Sequence, residues 1–393
     1  MSSSRVRAPV PAVDPAVGPT VPGRPASRIG AARTTAARNG AAPILVRQIR
    51  NGIVESVHRG DVVEVDVTGR LIRSIGNPDR VVTLRSCVKP FGLLALVEAG
   101  GIDAFDLAPA ELAIMASSHS GEDIHVRTLQ GVFRRANISQ GVLACGNEGM
   151  PLDALTAARL ARDGEKAGPI RHMCSGQHSS MILLARLKGW PLEDYWQPEH
   201  PSQAAYRDAV AGAFKTTPDR LVRGIDGCGI ETYAFSLAAV ARAYAFLADP
   251  AAVPVGDPRA RLASSMTRIR DAMIAYPEMV AGTRDRLDTS LMKTLPGRIV
   301  SKGGMEALRG LAIMGTDRRK SSGLALKIED GSGYERATWA ATIEAARQAG
   351  LLEGATLRAL ARYHRPPSLD PHGRIAAEAI AEFELAPVGE LIG

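Results

Sequence analysis

Long apolar runs are missing from this chain of 393 residues: none reaches the about 20 residues that a membrane-spanning helix requires, so a helical membrane protein is excluded. Cysteine is scarce, at four residues (Cys87, Cys145, Cys174 and Cys228). The first residues lack the continuous apolar stretch of a Sec signal. The four cysteines are therefore expected to be reduced thiols, and the expected compartment is the cytoplasm. Aromatic residues make up only 4% of a chain that is 45% hydrophobic, which is the composition of a soluble globular protein with a large core. Surplus charge is missing from the body of the chain. The net charge is +7, but residues 1–50 hold eight Arg, no Lys and one Asp, and the rest carries 40 basic and 40 acidic residues. A neutral body has no electrostatic footprint for a nucleic-acid partner. There is no internal repeat.

Residues 1–42 are rich in Ala, Pro, Arg, Ser and Thr and poor in large apolar groups. Such a segment cannot offset the entropy of ordering and reads as a disordered tail, although its Arg-rich, acid-poor character also resembles a transit peptide. Residues 43–393 are expected to form a single catalytic domain. Val54–Val57, Val62–Val67 and Leu71–Ile75 are short strand-like runs, and Asn51-Gly52, Arg59-Gly60 and Thr68-Gly69 read as turns between them. Helical patterns then dominate: Phe91–Glu98, Pro109–Ala116, Ile124–Arg135, Leu155–Arg162, Ser179–Leu187, Gln203–Phe214, Phe235–Leu247 and Pro258–Ala275. Strand-like runs return at Arg298–Val300, Ala307–Met314 and Gly323–Ile328, and two further helical stretches follow. Strands at both ends with helices between them predict an α+β fold, one antiparallel sheet carrying a large helical insertion over about residues 90–295.

Four short segments carry groups fit for chemistry. In Ser86-Cys87-Val88-Lys89 the i, i+3 spacing puts a hydroxyl and an amine on one side of a helical turn. A serine hydroxyl needs such a base, or a positive field, to attack a carbonyl; a helix-capping Ser beside a solvated Lys has the same pattern. Ser117-Ser118-His119-Ser120-Gly121-Glu122 follows an apolar helix. Ser120 reads as an N-cap there, which leaves Ser118 and His119 as the functional candidates. In His172-Met173-Cys174-Ser175-Gly176-Gln177-His178 the Cys-x-x-x-His spacing suits a metal pair, with Cys228 of Asp226-Gly227-Cys228-Gly229 as a third donor; two buried thiols explain the cysteines equally well. In Ser301-Lys302-Gly303-Gly304, Lys302 would place a cation at a strand end, and Gly303 would let substrate or backbone approach closely. The order S-x-x-K, then Ser, then K-x-G is that of the penicilloyl-serine enzymes.

Taken together, the segments LRSCVKP (84–90), ASSHSGE (116–122), CSGQH (174–178), DGCG (226–229), AGTRDRLDTSLM (281–292) and SKGG (301–304) resemble the rhizobial-type, or class 3, L-asparaginases. The resemblance implies a serine-β-lactamase-like fold, a homodimer, and hydrolysis of L-asparagine to L-aspartate and ammonia. It places Ser-Lys pairs at Ser86 with Lys89 and at Ser118 with Lys302. It places zinc-binding cysteines at Cys174 and Cys228, and sets Asp226 and His178 where they orient the centre or contact substrate. One position departs from the family pattern. Gln177 stands where the family has a zinc-ligating Lys, and an amide oxygen is a weaker donor, so zinc binding is expected to be weakened. No organic cofactor is implied. A glutaminase or β-lactam-reactive enzyme of the same fold, or a non-catalytic zinc or small-molecule binding protein, are the competing readings.

Overall fold

The computed structural model describes residues 41–146, 151–331 and 335–387. The expected N-terminal tail lies outside them, apart from Ala41 and Ala42. Residues from Ala41 onward cluster as one compact unit. Its strands are β1 (Ile44–Arg50), β2 (Ile53–Asp66), β3 (Leu71–Ile75), β4 (Val81–Thr83), β5 (Val222–Ile225), β6 (Glu231–Ser236), β7 (Ile299–Gly304), β8 (Leu308–Ile313), β9 (Ser322–Ile328), β10 (Pro367–Leu369) and β11 (Ile375–Ala381). Eight of them form one sheet in the order β10-β11-β1-β2-β9-β8-β7, with β3 also paired to β2. Its pairings are antiparallel. Strands from the two ends of the chain therefore close one sheet, and most of the helices lie between β4 and β7, with three more between β9 and β10. The fold is α+β with a large helical insertion. No helix among the described residues is long and apolar enough to cross a membrane.

β2 differs from the sequence-based expectation. Arg59-Gly60 is not a turn, and the strand runs unbroken for 14 residues. Up to Arg59 it pairs with β1, and from Gly60 onward with β9. A Cβ on Gly60 would lie 2.2 Å from the Lys327 carbonyl oxygen, so the glycine serves close strand approach at the change of partner. β8 is buried at every position and β9 at all but one, as expected of a sheet covered on both faces. The Leu237–Ala248 helix packs against β2, β8 and β9. It comes so near that a Cβ on Gly323 would sit 2.0 Å from the Ala241 carbonyl oxygen. Phe235 and Ser236, read from sequence as helical, end β6 instead, and Ser236 Oγ caps the helix by accepting from the Ala239 N–H. The Arg336–Gln348 helix packs against β1, β9 and β11. A second sheet, β4-β6-β5, borders the helical region. β5 had no signature in the sequence, because Val222-Arg223-Gly224-Ile225 shows no alternation, and the strand is exposed throughout.

Candidate active site

Ser86 lies in a 3-10 turn, Arg85–Val88, that runs directly into the short Lys89–Gly92 helix. The turn is pinned to β6 at its start: the Leu84 N–H donates to the Tyr233 carbonyl (2.8 Å) and the Arg85 N–H to Thr232 Oγ1 (3.1 Å). Arg85 adopts the left-handed conformation (φ 45°), which costs about 1–2 kcal/mol for a non-glycine residue and persists because both ends are held. Its Nε donates to Asp226 Oδ1 at 2.6 Å, which brings the Asp-Gly-Cys-Gly turn against the turn that bears Ser86.

Lys89 is buried at 1% exposure. The direct Ser86–Lys89 bond expected from the spacing is absent: among the described residues Ser86 Oγ has no hydrogen-bond partner. A buried ammonium must be satisfied, and Lys89 Nζ reaches instead the Ser117 carbonyl (2.7 Å), Ser118 Oγ (3.1 Å), Cys174 Sγ (3.3 Å) and the Met173 carbonyl (3.5 Å). Lys302, on β7, comes from the other side. Its Nζ lies 2.8 Å from Ser118 Oγ and donates to the Gly303 carbonyl at 2.7 Å. Ser118 thus sits between both amines. Burial, then the nearby charge of Lys89, push the Lys302 amine down to about 7. With Lys302 neutral, the Ser118 hydroxyl can donate to Lys302 Nζ while accepting from Lys89.

Behind Lys302 lies Asp288, a residue of the 281–292 segment to which sequence reasoning assigned no role. Its Oδ1 accepts from Ser301 Oγ (2.6 Å) and from Arg309 Nη1, and its Oδ2 from the Gly303 N–H (3.0 Å). Burial opposes its ionisation, but the Arg309 and Lys302 charges and these donors hold its carboxyl well below the usual range. Gly303, expected as a place of close approach, is fastened on both sides by Asp288 and Lys302. The only available sequence signal for Asp288 was a lone carboxylate among Leu287, Leu291 and Met292.

The other expected substrate contacts are held differently. His119 is fully buried and stacked on His125 at 4.8 Å. Its Nδ1 accepts from the Gly121 N–H (3.1 Å) and its Nε2 bonds Ser175 Oγ (2.8 Å), so both nitrogens are committed within the scaffold. Asp226 Oδ1 accepts from Arg85 and from the Gly227 N–H. Its role in this structure is to position the Ser86 turn. The expected helix start also moves: Ser175–Lys188 is helical, so Gln177 and His178 lie within its first turn. His178 Nδ1 bonds the Tyr195 hydroxyl at 2.5 Å, and its Nε2 is buried without a partner among the described residues. Burial lowers its pKa to about 3, so the ring is neutral. Cys87, beside Ser86, donates to the Lys302 carbonyl at 3.3 Å, and burial pushes its thiol up to about 11.

Cys174 and Cys228 are neighbours: each is the chief influence on the other's proton affinity, the Cys174 thiol being held low and the Cys228 thiol pushed up. The residues around them do not fit zinc. The Gln177 amide is turned away and donates to the Tyr206 hydroxyl at 2.6 Å. Among the described residues no group of three or more His, Cys, Asp or Glu could hold a metal ion. The near neighbour of Cys174 Sγ is the Lys89 ammonium, which repels a cation. A cleft of about 600 Å³, lined by Arg85, Gly227, Thr232, Glu306 and Lys327, adjoins the Ser86 turn.

The profile of the L-asparaginase II family matches residues 46–380. No curated protein sequence matches the chain. Among solved structures, Mglu in its tris and glutamate form aligns with 15% identity and a TM-score of 0.36. That alignment covers 79% of this chain and 64% of Mglu, so the chain spans less than two thirds of that protein. A probable glutaminase from Bacillus subtilis complexed with 6-diazo-5-oxo-L-norleucine aligns with 12% identity and a TM-score of 0.35, over 74% of this chain and 84% of that one. The family match extends from β1 through β11 and takes in every segment described above; the chain belongs to the L-asparaginase II family of amidohydrolases.

Proposed function

We propose that this protein hydrolyses L-asparagine to L-aspartate and ammonia by acyl transfer to serine. The observation that supports the reading most is the placing of Ser118 Oγ between Lys302 Nζ (2.8 Å) and Lys89 Nζ (3.1 Å), with an unengaged Ser86 hydroxyl on the turn that leads directly into Lys89. Ser86 Oγ attacks the carboxamide carbon. Its proton passes through the Ser118 hydroxyl to neutral Lys302, while the Lys89 ammonium offsets the negative charge that develops. Return of that proton to the leaving nitrogen releases ammonia. Water then attacks the acyl ester, its proton taken along the same path, and L-aspartate leaves. No step runs through a metal. The homodimer and the cytoplasmic setting are carried into this proposal from the family resemblance and from the composition.

A second reading has a specific observation behind it: Ser118 is the hydroxyl in contact with both amines and would itself attack. Labelling separates the two. A diazo-ketone analogue of asparagine should modify the peptide that contains Ser86, and modification of the Ser118 peptide would move the nucleophile there. Ser86→Ala and Ser118→Ala should each lower ammonia release by about 10³-fold or more, and the double variant should be little worse than either, as for residues that act as one unit. Near-normal turnover in Ser86→Ala would reject its assignment. Faster ammonia release from L-glutamine than from L-asparagine would reject the substrate.

A further inference from the structure

The proposed proton path leaves one buried carboxylate beside it unused. Glu122 is 4% exposed and ends the 117–122 loop that carries Ser118. A second segment, residues 280–288, runs alongside and holds Ser118 from both sides. The Ser118 N–H donates to the Val280 carbonyl (3.0 Å), and Arg286 Nη2 donates to the Ser118 carbonyl (2.9 Å). The same segment ends in Asp288, which fastens Ser301 and Gly303 on either side of Lys302. Glu122 joins the two. Its Oε1 accepts from Ser120 Oγ (2.6 Å) in its own loop and from the Thr283 N–H (2.8 Å) in the other. Its Oε2 accepts from Thr283 Oγ1 and lies 3.2 Å from Arg284 Nη2. The loops touch at Gly282, where a Cβ would run into Ser120 Oγ and Glu122 Oε1. The far side of the second loop is braced as well: Thr289 Oγ1 donates to the Gly282 carbonyl (2.7 Å), and Arg284 forks onto Asp153. Burial opposes ionisation of Glu122, but the Ser120 and Thr283 donors hold its carboxyl below the usual range, so it is an anion at neutral pH.

We propose that Glu122 is a positioning residue for the Ser118–Lys302 contact, locking the loop that carries Ser118 to the segment that carries Arg286 and Asp288. Ser118 Oγ has to stay within hydrogen-bond reach of Lys302 Nζ for a proton to pass, and a misplacement of about 1 Å can cost about 100-fold in rate. The Ser118 side of that contact is fixed by Val280 and Arg286, and the Lys302 side by Asp288 through Ser301 and Gly303. Both fixings belong to the segment that Glu122 grips at Thr283. Without the carboxylate, Ser120 Oγ and both Thr283 donors lose a common buried acceptor, and water takes its place between the loops. Burial and the Lys89 charge hold the Lys302 amine down, and the Arg286 charge adds to them. A loosened loop lets Arg286 withdraw and water approach the amine, and both changes return Lys302 toward its ordinary, higher pKa. Glu122 thus acts through geometry. Acting through its charge it would do the reverse, since a nearby anion raises the pKa of an ammonium and its removal lowers it. The consequence for turnover rests on the asparaginase reading; the effect on Lys302 does not.

Glu122→Ala and Glu122→Gln in the full chain test this. Gln keeps an oxygen for the Thr283 N–H and Ser120 Oγ, and its amide can donate to Thr283 Oγ1, so it preserves the bridge while removing the charge. Two quantities are read: kcat and KM for ammonia release across pH, and the titration of Lys302 without substrate. The second comes from the pH dependence of urea stability of each variant relative to the same variant carrying Lys302→Met. Glu122→Ala should lower kcat by about tenfold or more with a smaller change in KM. It should also move the acid limb and the Lys302 titration to higher pH by about half a pH unit or more. Glu122→Gln should restore turnover to within about threefold of wild type and leave the titration in place. Thr283→Val removes one donor of the bridge and should act in the direction of Glu122→Ala, by less; it decides the matter if Glu122→Ala does not fold. A lowered melting temperature with wild-type kcat and Lys302 titration would overturn the proposal in favour of a merely structural carboxylate. Glu122→Gln as slow as Glu122→Ala, or a titration moved to lower pH in both, would overturn it in favour of direct action of the charge. If the wild type releases no ammonia from L-asparagine, the functional reading fails, and the substrate-free titration of Lys302 still decides whether Glu122 positions the site.

Discussion

Replacing Lys302 by Met should separate the chemistry of this site from its stability. The Lys302 amine is fully buried, and its environment lowers its pKa from 10.5 to about 7. At about 1.36 kcal/mol per pKa unit, that drop corresponds to about 5 kcal/mol of penalty on the protonated folded state. The folded value lies below the unfolded one, so between about pH 7 and about pH 10.5 the unfolded chain binds the extra proton. Stability therefore rises with pH through that window, and the whole penalty is present below about pH 7. Lys302→Met removes the titration. From about pH 6 to about pH 8.5 the stability of wild type relative to the variant should improve by about 2 kcal/mol. Urea unfolding of both proteins at the two pH values measures this. In activity, kcat/KM of the wild type should rise with pH along a limb centred near 7, where Lys302 becomes a neutral base. Lys302→Arg keeps the charge but stays protonated, and should lose about 10³-fold or more in turnover. A stability difference independent of pH, or an active Lys302→Arg, would refute the reasoning.

Asp288→Ala should destabilise the protein by about 3–5 kcal/mol, because it leaves the Arg309 guanidinium buried without its carboxylate partner. Since Asp288 raises the pKa of Lys302, the acid limb of kcat/KM should also move to lower pH in this variant; an unmoved melting temperature and limb would show that Asp288 does not support the site. Gly323→Ala should cost about 1–3 kcal/mol, because its Cβ would enter the space of the Ala241 carbonyl. Turnover per folded molecule should be kept, and a melting temperature equal to wild type would contradict the close helix–strand contact. Gln177→Lys should bind zinc more tightly than wild type in a titration against a chromogenic chelator, since it restores a third donor beside Cys174 and Cys228; equal or tighter binding by the wild type would reject that account.

The sequence by itself determined the kind of fold and the order of its reactive segments. Alternating and β-branched runs near both ends, with helical periodicity between them, are local patterns, and the α+β sheet closed from both ends follows from them. Ser86, Lys89, Ser118 and Lys302 were legible as well, because each sits in a short motif whose residue types are chemically distinctive. Partners were not legible. Spacing along a helical turn paired Lys89 with Ser86, whereas the buried ammonium satisfies itself on Ser117, Ser118, Met173 and Cys174, groups 28 to 85 residues away in the chain. Asp288 and Arg85 had no local signature, since their roles exist only where β7, β8 and the Asp226 turn converge. Gly60 carried the same signal as a turn, and only the nearness of β9 distinguishes a turn from a strand crossing. Periodicity and motif order are properties of neighbouring residues, so the chain alone displays them. Which buried charge meets which acceptor, and how far burial moves its proton affinity, depend on contacts between distant segments, and the tertiary structure alone decided them.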